Sequence, residues 1–291
     1  MDITFGNKLI YRLLPKLSRD RAREKAWDKK ISVFGSGLAG LFARPKSEEI
    51  EITYSEFRYE PFWRIACDVR YEYDRTRSYK VPVVAPEVQR VTIDGKDHTI
   101  ASESRQFTIS GTEHCVEESN SEVIFDAVTG QERNWGKYLG FEKELVNNID
   151  ELSTDGSIIV MPEMRESAAV RQVLATMMRP IQADLIHEEK ANVRIIDLYF
   201  RPVYAFEYKW ESKGKTTVAE FDGLSGEMTS NGTPLRQQVS KIINRDLIFD
   251  VGADAANIII PGSGIPLVVA KSMFDGHKTP ERDNSNRKRG L

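Results

Sequence analysis

One pattern constrains this chain more than any other, because it occurs twice. A long strand of alternating aromatic residues turns back on itself and ends in an Asp-x-x-Ser/Thr-Gly turn. The clearer copy runs from Leu198 to Met228, LYFRPVYAFEYKWESKGKTTVAEFDGLSGEM. Tyr204, Phe206, Tyr208 and Trp210 alternate there with Val203, Ala205, Glu207 and Lys209. The earlier copy opens at Arg58, RYEPFWRIACDVRYEYD, where Trp63, Ile65, Cys67, Val69, Tyr71 and Tyr73 alternate with Arg64, Asp68, Arg70, Glu72 and Asp74. Period two sends one set to a buried face and the other to the opposite face. Pro61 and Trp63 answer Pro202 and Tyr204, and FDAVTGQ (Phe125 to Gln131) answers FDGLSGE (Phe221 to Glu227). In such a turn the Asp carboxylate and the Ser or Thr hydroxyl accept local backbone N–H groups, and Gly takes the positive φ.

The expected fold class is therefore α+β: two related antiparallel β-sheet units with flanking helices, arranged as a pseudo-symmetric internal duplication. The expected boundaries are a basic helical N-terminal arm at 1–30, a first unit at 31–135, a second at 136–276 and a disordered basic tail at 277–291. Within that frame, Ile10, Leu13, Leu14 and Leu17 space as a helix over 7–30, kinked at Pro15. Residues 49–59 and 61–74 read as two strands, Arg75 to Arg77 as a polar turn, and SYKVPVV as a return strand limited by Pro82. Tyr138, Phe141, Leu145 and Ile149 predict a helix, as do ESAAVRQVLATMMRP, ended by Pro180, and PLRQQVSKIINRDLI.

The FDGLSGEM ending, after an aromatic strand and a Lys-Gly-Lys hairpin, resembles the PepSY-type repeat, whose strands end in Asp-Ala-x-Thr-Gly; FDAVTGQE matches that ending more literally. The Tyr59-Pro61-Trp63 and Phe200-Pro202-Tyr204 strands also resemble paired repeats of uncharacterised prokaryotic proteins. The resemblance covers 44–132 loosely and 179–228 better. It implies small non-catalytic α+β modules, often attached to secreted peptidases or membrane proteins, that inhibit or bind.

The net charge of −3 gives no global field for a polyanion, but it is unevenly spread. Residues 1–30 hold nine Lys/Arg against four Asp/Glu, and 278–291 hold five against two. Two basic ends thus flank an acidic body. Arg12, Lys16, Arg19, Arg21, Arg23, Lys29 and Lys30, with Arg287, Lys288 and Arg289, form the candidate partner surface. Two cysteines make no disulfide framework and fit a reducing compartment. Lys8, Arg12 and Pro15 interrupt any signal-peptide core, and no apolar run approaches the ~18 residues of a membrane span. These features predict a cytoplasmic protein.

Chemistry-bearing motifs are thin. Gly35, Gly37 and Gly40 spell GxGxxG, but Pro45 leaves too short a helix for a dinucleotide fold. Adjacent His114 and Cys115 point to opposite faces of a strand, which disfavours a zinc site built with Cys67 and His98. PGSGIP at 261–266 lacks the Lys-Ser/Thr of a phosphate loop. No catalytic, cofactor or metal residue is assigned. The expected function is a non-enzymatic scaffold or adaptor that binds a protein partner or self-assembles. The alternatives are a nucleic-acid accessory protein using its basic ends, with a steep salt dependence, and an enzyme with a pocket between the repeats.

Overall fold

The structure is a computed structural model, which describes residues 2–34, 45–147, 151–152, 156–230 and 268–269. The GxGxxG segment, the expected helix at 234–248, the PGSGIP turn and the basic tail with Arg287, Lys288 and Arg289 lie outside the described residues. In chain order the elements are β1 (Asp2–Phe5), β2 (Lys8–Leu13), α1 (Arg19–Val33), β3 (Ile50–Pro82), β4 (Arg90–Ile93), β5 (Lys96–Thr99), β6 (Gln106–Asp126), β7 (Lys143–Leu145), β8 (Ile158–Ile159), α2 (Glu166–Met177), β9 (Leu185–Trp210), β10 (Lys215–Asp222), β11 (Met228–Ser230) and β12 (Val268–Val269). Among the described residues, ten strands share one sheet, and β4 with β5 forms a separate hairpin through Asp94-Gly95, both at positive φ. The protein is α+β.

The spine is the antiparallel pair β3 and β9, in register from Ile50↔Trp210 to Asp74↔Leu185 with three irregularities. Along the outer edge of β9 lie β1 and β2, both parallel to it, and then the return strand β10. Along the outer edge of β3 lie β8, parallel, and then the return strand β6. The sheet is thus mixed rather than purely antiparallel.

Four expectations change. Lys8–Leu13 is a strand, not the start of a helix, because Lys8–Arg12 pairs with Ile196–Phe200 and Tyr11–Leu13 with Lys143–Leu145; Ile10 and Leu13 are fully buried on opposite faces. The helix begins only after Ser18, whose hydroxyl caps the Arg21 N–H. Residues 50–82 form one strand, not two strands and a turn: Arg75 pairs with Glu113 and Tyr79 donates to the same carboxylate, so the polar stretch is the wet face of a continuing ladder. Around Tyr138 the chain forms a short 3₁₀ turn (Gly136–Gly140) and then β7, which pairs with β2, instead of a helix. The helix of ESAAVRQVLATM is as expected.

Proline inside a central strand normally breaks its ladder. Here β6 ends at Asp126, opposite Phe62, and β10 ends at Asp222, opposite Val203. Pro61 and Pro202 each sit one residue beyond the return strand, where no ladder N–H is required. Each still uses its carbonyl, accepting from Ala127 N–H at 3.1 Å and from Gly223 N–H at 2.8 Å. Gly223 has a further reason: a Cβ there would lie 2.8 Å from the Pro202 carbonyl oxygen.

Several contacts come in matched pairs. The β3–β9 register is symmetric about Glu60↔Arg201: Tyr59 faces Pro202 as Phe200 faces Pro61, and Phe57 faces Tyr204 as Leu198 faces Trp63. Trp63 Nε1–H donates to Met164 O at 2.8 Å, just before α2. Tyr204 Oη–H donates to Leu17 O at 2.6 Å, just before α1. The carbonyl of Ala127 accepts from Glu163 and Met164, and that of Gly223 accepts from Lys16 and Leu17. Both helices therefore pack on one face of the sheet, where Ala22, Ala26, Val33, Ala169, Val170, Val173 and Leu174 join the strand aromatics in one core. The opposite face is covered around Phe62, Tyr199 and Leu224 by Trp135, Tyr138, Leu139 and Phe141.

Candidate functional site

Among the described residues, β6 pairs with β3 alone. Nothing among the described residues pairs with its other edge from Thr108 to Glu122. Backbone direction along that edge follows from its last residues. Asp126 N–H donates to Gln131 O at 2.9 Å and Ile124 O accepts from Arg133 N–H at 2.8 Å, both away from β3. Since backbone groups alternate sides along a strand, the even-numbered residues from Thr108 to Glu122 present N–H and C=O outward. The β3–β6 register runs without a shift from Phe62↔Asp126 to Pro82↔Gln106. Natural sheets blunt such edges with Lys, Pro or bulges. Between Gln106 and Asp126 there is no Lys, Arg or Pro.

The side chains on this edge are acidic and held in a charge ladder. Arg70 lies between Glu188 of β9 and Glu118 of β6, the latter at 3.1 Å. Arg64 reaches Glu122 at 2.8 Å. Glu117 accepts from Tyr73 at 2.6 Å and pairs with Arg179. These partners hold the carboxyls of Glu113, Glu117 and Glu122 below the usual range: Tyr79 and Arg75 act on the first, Tyr73 and Arg179 on the second, Arg64 on the third. Farther out, Asp74 sits between His187 Nε2 at 2.9 Å and His114 Nδ1 at 2.7 Å, and both contacts lower its pKa. Val116 stands among them with 56% of its surface exposed.

At the inner end of the edge, the chain itself starts to add a strand, with Glu132 bridging antiparallel to Phe125. A groove of about 480 Å³ opens there, lined by Glu122, Val123, Ile124, Glu132, Arg133, Asn134 and Gly136. Arg133 lies 3.6 Å from Asp126. The edge thus takes backbone partners, and a basic side chain already sits at its inner end.

The expected basic surface is spread over several elements. Arg12 pairs with Glu144 from β2, and Lys16 lies over the Phe141 ring. Lys30 is buried, with its ammonium 3.6 Å from the Trp27 ring centroid. Arg21 and Lys29 are exposed on α1. Arg19 and Arg23, one turn apart, are brought together: with Tyr54, Phe57, Tyr204 and Phe206 they line a cavity of about 440 Å³ that also contains Asp20 and Glu56. Asp222, the acid of the second turn, is consumed locally. Its Oδ1 accepts from Leu224 and Ser225 N–H, and its Oδ2 from Tyr138 and Arg201. Among the described residues, no group of three or more His, Cys, Asp and Glu could hold a metal ion, and no helix is long and apolar enough to cross a membrane.

One buried carboxyl sets a pH dependence. Asp197, on the same face as Arg64, is pushed up to about 6 by burial, against the pull of Arg64, Lys143 and the Leu9 N–H. In the unfolded chain an Asp titrates near about 3.9. Above pH 6 both states are ionised, and the folded state carries the desolvation cost. As pH falls through 6, the folded state takes up the proton first, so this group's contribution to stability rises until about pH 4. Asp197→Asn is expected to be more stable than the parent at pH 8, with the gap closing toward pH 4; thermal unfolding across that range checks it.

No protein-family model, curated protein or solved structure matches this chain. The open edge was not among the residues singled out from sequence. Its one readable signal was the run of 21 strand-compatible residues without Lys, Arg or Pro.

Proposed function

We propose that this protein is a non-enzymatic binding module, a scaffold or adaptor whose working surface is the open edge of β6. The observation that carries this is the uninterrupted β3–β6 ladder, with outward backbone groups from Thr108 to Glu122 and none of the usual edge-blocking residues. Strand addition to such an edge is a general mode of protein recognition. The frame behind it reads as an internal duplication. In support stand the symmetric register about Glu60↔Arg201, the Trp63 and Tyr204 anchors, and the two turns built on Asp126 and Asp222. Each copy's strand–helix element docks on the other copy's sheet, so the two halves fold as one body. Free Cys67 and Cys115 fit a cytoplasmic setting.

The test is a comparison of baits. Val116 N–H points outward, so Val116→Pro removes an edge donor without touching the β3 ladder. Proteins captured by the parent and absent with Val116→Pro are expected. Identical captures with both baits would remove the edge as the working surface.

A further inference from the structure

Resting on that reading, we infer that the edge of β6 takes an extended peptide segment carrying Lys or Arg at alternate positions. The argument is lateral. Opposite charges on neighbouring strands stabilise a sheet, and like charges directly opposite destabilise it. Directly across this sheet the signs alternate at Asp197 on β9, Arg64 on β3 and Glu122 on β6; Arg70 of β3, which stands opposite Lys190, reaches Glu188 of β9 diagonally and Glu118 of β6 directly. The Arg75–Glu113 pair repeats the last step on the opposite face of the sheet. The row ends on carboxylates at the open side, with the Glu118 side chain 71% exposed. The next strand out continues the alternation only if it is basic.

Two further features agree. Where the chain lays its own residues on this edge, the residue beside the Phe125↔Glu132 bridge is Arg133, which approaches Asp126. The groove of about 480 Å³ at that end leaves room for an incoming segment beside Glu122 and Ile124. A second copy of this chain suits the edge less well. Its β6 would bring five more carboxylates (Glu113, Glu117, Glu118, Glu122 and Asp126) and no Lys or Arg to the seam. Exposed Val116 supplies an apolar contact for the alkyl stems of lysines or for a β-branched residue between them.

Fluorescence anisotropy of the full chain with two labelled synthetic peptides tests this: one alternating Lys and Val, the other Glu and Val. The basic peptide is expected to bind about tenfold or more tightly than the acidic one, through several favourable cross-strand pairs. Val116→Pro should abolish that binding, and Glu118→Lys with Glu122→Lys should reverse the preference. A basic peptide N-methylated on every residue keeps its charge but loses its backbone donors on both edges, and should not bind. This control does not depend on how the proline variant folds. Equal binding of both peptides, or of neither, would overturn the inference. So would basic binding that survives both Val116→Pro and N-methylation, since general acidity then explains it. Acidic-peptide binding that Val116→Pro abolishes would overturn the basic occupant while leaving the edge as the working surface. A concentration-dependent dimer lost in Val116→Pro would assign the edge to a second copy instead.

Discussion

Arg201→Ala is expected to cost about 3–5 kcal/mol of stability, because it leaves buried carboxylates without their shared cation. Arg201 stands at the centre of the β3–β9 register, directly opposite Glu60. Its guanidinium binds Glu60 and reaches Asp222 Oδ2 at 3.3 Å, with the Trp135 ring 4.7 Å away. Tyr138 donates to the same Asp222 carboxylate; burial first, and then that hydrogen bond, push the Tyr138 pKa up. Removing the cation strips Asp222 of its charge partner while the carboxylate must still hold the Leu224 and Ser225 N–H groups. The loss should therefore spread to the turn and to the 3₁₀ segment over it. Arg58 still serves Glu60 at 2.6 Å, which keeps the effect within the range for one broken buried pair. Replacing Arg201 with Met and Asp222 with Asn together should recover part of the loss, since the uncompensated buried charge goes while Oδ1 still accepts from the Leu224 and Ser225 N–H groups. Urea unfolding of the single and double variants decides this: a loss under about 1 kcal/mol for Arg201→Ala would show that water already serves these groups.

Much of this frame was legible because period two is legible. The alternation from Trp63 to Tyr73 predicts the buried face, and Trp63, Ile65, Cys67, Val69, Tyr71 and Tyr73 are all buried. The helix at Glu166–Met177 follows from periodicity in the same way. The errors share a cause, which is non-local pairing. Ile10 and Leu13 fit a helical stripe, and only pairing with β9 and β7 makes that segment a strand. Pro61 and Arg75–Arg77 look like breaks until the end of the β6 partner and the Glu113 contacts are known. Tyr138 and Phe141 fit a helix face but instead cap the second sheet face. The candidate site was hidden for a deeper reason. An open edge is the absence of a neighbour, and no residue of β6 encodes it alone. The basic cluster was visible as composition, yet composition does not say that Arg12 pairs with Glu144, that Lys16 lies over Phe141 or that Lys30 is buried.

The second large effect is expected at Trp63. Its side chain is fully buried, and its indole N–H holds the Met164 carbonyl at 2.8 Å. Trp63→Ala should cost about 3–5 kcal/mol through the cavity alone. Trp63→Phe keeps most of the packing and removes the donor, leaving a buried carbonyl short of one partner at about 1–2 kcal/mol. The more telling result is where the loosening falls. Trp63 belongs to β3, but the segment it holds leads into α2; Tyr204 belongs to β9, but it holds Leu17 ahead of α1. Amide exchange in Trp63→Phe should therefore quicken in Glu166–Met177 and not in Arg19–Val33, and Tyr204→Phe should do the reverse. Tyr208 gives α1 a second hold at Ala26 O, 2.9 Å, so the Tyr204→Phe effect should be the smaller and confined to the first turns. If both variants loosened both helices equally, each anchor would be serving the whole core rather than the helix it touches. If each loosens its own, α2 is held by β3 and α1 by β9, and the halves of the proposed duplication should not fold when expressed alone.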